Sequence, residues 1–107
     1  MSETGRETFW RLAEAQIAGG RAERGTMMGS QCVRVQGQFA GMVHSKTGEV
    51  ILKLPAARVL ALIADDVAEP FRPNGKLFKE WALLPAPDAD MVGALLDEAI
   101  TFAGSKS

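Results

Sequence analysis

Hydrophobic positions in this chain change their spacing several times, and each change marks a new element. Phe9, Leu12, Ala13 and Gln16, widened by Trp10 and Ile17, recur at helical intervals and predict a helix over 5–18 that stops at Gly19-Gly20. Thr4 and Glu7 have the spacing of a capping box at its start. A polar connection over 21–25 follows, and the pattern then turns alternating and β-branched. A first strand is predicted over 26–36, alternating Met27, Gln31, Val33 and Val35 with Met28, Cys32 and Arg34, with a bulge at Gly29-Ser30. Gln36-Gly37 turns the chain into a second strand over 38–45. The short loop Lys46-Thr47-Gly48 leads to a third over 49–54. Val50, Leu52 and Leu54 alternate with Glu49, Ile51 and Lys53, the pattern of an antiparallel meander covered on one face.

Pro55 suits the first helical position, since its missing amide hydrogen has no partner to lose there, and a second helix is predicted over 55–65. Val59, Leu60, Leu62, Ile63 and Val67 give it a broad apolar stripe, whereas Asp65 and Asp66 put negative charge at the unfavourable end of its dipole. Residues 68–71 and 80–84 are short β-like pieces around Pro73-Asn74-Gly75-Lys76, a turn-rich stretch that predicts a loose hairpin. Pro85 and Pro87 end it and Asp88 can cap a third helix, whose stripe of Val92, Leu95, Leu96, Ala99, Phe102 and Ala103 runs to Gly104. The expected architecture is a two-layer α+β domain. A five-stranded, mainly antiparallel sheet has helices one and three against its apolar face.

Length and composition narrow the picture. At 107 residues the chain is one domain, 1–107, and 47% hydrophobic residues is the share an ordinary globular core needs. Lys plus Arg number 12 against 13 Asp plus Glu, a net charge of −1, so any nucleic-acid or membrane contact must be local. The longest strongly apolar run, 59–64, falls far short of the roughly 20 residues that span a bilayer, and no apolar stretch follows the N-terminal charges. A cytoplasmic protein without membrane contact is expected. One cysteine and one histidine allow neither an intrachain disulfide nor a protein-only tetrahedral zinc site, and no cofactor is expected.

Candidate chemistry is sparse. Cys32 and His44 lie on adjacent predicted strands where a thiolate–imidazolium pair could form, but a buried structural thiol beside an ordinary strand histidine explains them as well. Ser30 or Ser45, His44, and Asp65 or Asp66 supply the residue types of a hydrolytic triad without a nucleophile-elbow pattern. Asp65, Asp66 and Glu69 lack calcium-loop spacing, and Gly29, Gly37, Gly41 and Gly48 lack the ending of a phosphate loop. The segment 71–81 is the most suggestive. It interleaves Arg72, Lys76 and Lys79 with Phe71, Phe78 and Trp81, so Arg72, Lys76, Lys79, Phe71 and Trp81 are the candidate contacts for a ligand or partner.

The element order α-β-β-β-α-β-β-α, Thr26-Met27-Met28-Gly29 entering the meander, Glu49-Val50-Ile51-Leu52-Lys53 in its third strand, and Gly75-Lys76-Leu77-Phe78-Lys79-Glu80-Trp81 before Leu84-Pro85 resemble the TfoX N-terminal domain family and the related YjbR-like proteins. The resemblance covers nearly the whole chain. It implies a two-layer α+β fold like that of the secretion chaperones, with no agreed catalytic residues. By the same resemblance, the corresponding domain of the full-length competence regulator looks like one part of a longer protein with a second, C-terminal domain. The expected function is therefore that of a noncatalytic regulatory or adaptor domain, a homodimer that binds a partner protein. The alternatives are a nucleic-acid-associated regulator using Arg72, Lys76 and Lys79, and a small-ligand-binding domain.

Overall fold

The computed structural model describes residues 5–27, 30–44, 49–72, 75–85 and 88–105. The elements in chain order are α1 (Gly5–Ala18), β1 (Glu23–Met27), β2 (Ser30–Val35), β3 (Gln38–Val43), β4 (Val50–Lys53), α2 (Ala56–Ala64), β5 (Glu69–Phe71), β6 (Phe78–Leu84) and α3 (Ala89–Ser105). All strand pairs are antiparallel, in the order β1-β2-β3-β4-β6-β5. The fold is the expected α+β one, a helical layer on an antiparallel sheet.

Local chemistry explains the element ends. Gln36 and Gly37 both have positive φ, 51° and 83°, which is the backbone twist a two-residue hairpin between Val35 and Gln38 needs. At the end of α1, Gly20 takes φ 78°, and the amides of Gly20 and Arg21 donate to the carbonyls of Ile17 and Gln16. The Asp88 carboxylate caps α3 by accepting from the Met91 amide at 2.8 Å. Pro55 sits one position earlier than expected, at the N-cap of α2.

Alternation along the strands sorts their side chains onto two faces. Val33, Val50, Leu52, Ala82 and Leu84 join Phe9 and Ala13 of α1, Val59 and Leu62 of α2, and Leu95, Leu96 and Ile100 of α3 in one buried cluster. Gly41 sits in a tight spot between the neighbouring strand β4 and the Phe9 ring of α1. A Cβ there would lie 2.6 Å from a Leu52 methyl, 3.2 Å from the Ile51 carbonyl oxygen and 3.4 Å from the Phe9 ring.

Several other features differ from the sequence expectation. The expected single strand over 26–36 is two, β1 and β2, with Met27 opposite Ser30, so the sheet has six strands. β1 begins inside the stretch expected as a polar connection because it is an edge strand whose Glu23, Arg24 and Thr26 are exposed. The second sheet face, expected to be mixed, carries its own buried cluster of Cys32, Phe39, Met42, Ile51 and Trp81. β6 starts at Phe78 and α3 continues through Gly104. Thr4, Met28 and Gly29, the loop 45–48, the Pro73-Asn74 turn and Pro87 lie outside the described residues.

Candidate functional site

The stripe on α2 is too broad for the sheet to cover. Val59 and Leu62 are buried in the core and Ile63 packs partly against it, while Ala56, Val59, Leu60 and Ile63 also line the space toward the neighbouring hairpin, where Leu60 remains 67% exposed. Ala56, Val59, Leu60 and Ile63 stand at helical positions i, i+3, i+4 and i+7, one continuous wall. The facing wall is Pro70 and Arg72 at the end of β5, then Leu77, Phe78, Lys79 and Trp81 leading into β6. Between them lies a groove of about 400 Å³, within the range of roughly 300–1,000 Å³ usual for binding sites. A shallower depression of about 420 Å³ continues past Phe78 and Lys79 to Lys53 and Glu80.

Both walls are held in place. Arg58 on α2 grips Glu98 on α3 in a bidentate pair, Nε to Oε1 at 2.9 Å and Nη2 to Oε2 at 3.1 Å. The Leu54 amide donates to the Glu80 carbonyl at 2.8 Å, tying the entry of α2 to β6. Behind the hairpin, Trp81 stacks on Phe39 at 4.3 Å between centroids and on Phe71 at 5.3 Å, while the Phe78 ring meets it edge-on at 5.1 Å. Phe39 reaches Trp81 across the intervening β4, so these rings brace the sheet face under the groove.

Of the residues singled out in the sequence, Arg72, Lys79 and Trp81 line the groove together. Phe71 is half-buried in the ring cluster, and Lys76 lies over the Phe78 ring at 5.9 Å. Arg72 and Lys79 are exposed and form no ion pair with a described residue. The α2 wall escaped the sequence reading, although its signal was present in a stripe wider than one sheet face requires.

The other candidates do not line the groove. Cys32 is fully buried opposite Met42, and burial pushes its thiol above the ordinary range, with Arg34 drawing it partly back. His44 follows β3, its amide donating to the Glu49 carbonyl at 2.8 Å. Ser30 opens β2, and Ser45 lies outside the described residues. Asp65 and Asp66 close α2, with their amides donating to the carbonyls of Ala61 and Ile63. Among the described residues no three of His, Cys, Asp and Glu gather as a metal site, and no helix is long and apolar enough to cross a membrane.

Fold and site thus define an α+β domain with an apolar groove that has Arg72 and Lys79 on its rim. No protein-family model, curated protein or solved structure matches the chain.

Proposed function

We propose that this chain is a noncatalytic regulatory or adaptor domain of the TfoX N-terminal kind, acting in the cytoplasm through protein–protein association. The groove between α2 and β5–β6 carries the reading, because Leu60 and Leu77 stand 67% and 42% exposed at its lips. Fully covering a leucine is worth roughly 1.5–3 kcal/mol, a gain that folding alone leaves incomplete here. The deeply buried thiol of Cys32, kept protonated by its surroundings, supports a noncatalytic role.

The same reading makes the chain a homodimer joined along β1. The opposite edge strand, β5, has three residues and a proline, whereas β1 offers five residues without proline, with Glu23 and Arg24 exposed along it and the Arg34 guanidinium donating to its Thr26 carbonyl. A nucleic-acid role draws support from Arg72, Lys76 and Lys79, but Trp81 already spends its ring on Phe39 and Phe71 rather than on a base.

Affinity capture from the source cell, run in parallel with wild type and a Leu60→Asp/Leu77→Asp variant, tests the association. Proteins retained by wild type and lost by the variant are expected, and identical recovery by both would sink the reading. Sedimentation at micromolar concentration tests the dimer, and a monomer would remove that part.

A further inference from the structure

We infer that the groove takes a short, acidic, amphipathic helix of a partner protein; this rests on the association reading above. Three observations point to that occupant. The exposed Leu60, with the half-buried Ala56 and Ile63 at i, i+4 and i+7 and the buried Val59 beneath them, presents an apolar ridge at helical spacing, the surface against which a second helix packs by ridges into grooves. The ridge is one face of a nine-residue helix, about 13 Å long, which matches two to three turns of a partner helix. An extended strand fits less well, because the adjoining edge is the three-residue β5 with Pro70 at its centre, which removes a backbone donor.

Charge complementarity supplies the sign. Arg72 and Lys79 stand at the rim without an ion pair to any described residue, whereas the adjoining depression is mixed, with Lys53 and Glu80 both on its lining. A helix with leucine-like residues at i, i+3, i+4 and i+7, flanked by glutamate or aspartate, would fill the floor and pair with this rim. Carboxylates there would steer the encounter and fix the register, while the apolar floor would supply most of the affinity.

The test uses the full chain as bait for a displayed library of random peptides long enough to form three helical turns. Binding of the selected peptides is then measured by fluorescence anisotropy. Recovered peptides are expected to be acidic with helically spaced apolar residues. They should bind roughly tenfold or more weakly to Arg72→Glu/Lys79→Glu and to Leu60→Asp/Leu77→Asp, and weaken as salt rises. Circular dichroism and urea midpoints confirm that both variants fold, since every substituted side chain is exposed.

Neutral or basic peptides that lose binding with the leucine variant but not with the charge variant would overturn the acidic helix and leave association at the groove standing. Selection yielding no groove-dependent peptide would count against both. An oligo-dT strand or decanoate that binds the groove and is lost in the charge variant would replace the inferred occupant with a nucleic acid or a fatty carboxylate. Self-association abolished by Leu60→Asp/Leu77→Asp would replace it with a second copy.

Discussion

The two sides of this domain treat the same residue types in opposite ways. Around α1 and α3 the arginines are tied down. Arg21 pairs with Asp97 and also donates to Gln16, and Arg24 pairs with Glu14 at 2.6 Å while lying over the Trp10 ring at 4.3 Å. At the groove, Arg72 and Lys79 have no such partner among the described residues, and two leucines stay in water beside them. Exposed ion pairs contribute only about 0–1 kcal/mol each, so the contrast says little about stability. It says which cations are already engaged and which are available to something else.

The contrast sharpens under substitution. The largest effect belongs to the closed side: Phe9→Ala, at a fully buried ring against Gly41, should lose about 3–5 kcal/mol, read as a fall in the urea midpoint. Gly41→Ala adds one methyl group where there is no room, and should cost about 1–3 kcal/mol by the same measurement. Leu60→Ser on the open side should stay within about 0.5 kcal/mol of wild type. A loss as large as that of Gly41→Ala would mean the groove belongs to the core, and the comparison would collapse.

The smallest effect is a pH dependence. The Cys32 thiol is raised in the folded chain, so folding favours its neutral form. Stability from this source is complete below the unfolded thiol value of about 8.5 and is lost as pH rises from there through the higher folded value. Wild-type urea midpoints should therefore fall more steeply above that pH than those of Cys32→Ala. Parallel slopes would show that the thiol titrates alike in both states.

Sequence pattern revealed the fold wherever one local signal dominated. The α1 stripe with its glycine stop, the Gln36-Gly37 turn and the Asp88 cap each rest on chemistry within a few residues. It missed β1, because an edge strand of Glu, Arg, Gly and Thr reads as a loop until a partner strand lies beside it. The second buried face was hidden for a similar reason. Phe39 and Trp81 belong to β3 and β6, far apart in sequence, and only their meeting across β4 buries them. Half of the candidate site was legible as the run of cations and rings over 71–81; the α2 wall was not, since periodicity does not say which part of a broad stripe the sheet will leave uncovered.

The strand order β1-β2-β3-β4-β6-β5 carries a consequence for the order of assembly. Each of the first four strands pairs with its neighbour in sequence, contacts that cost little chain entropy to close. β6 must instead come back to β4 around the whole of α2 and β5, and the groove does not exist until it has done so. An occupant of the groove would thus recognise only chains whose C-terminal half has docked, and would hold that half closed by mass action. Amide hydrogen exchange would register this as slower opening of α2, β5 and β6, with the first three strands keeping their own rate.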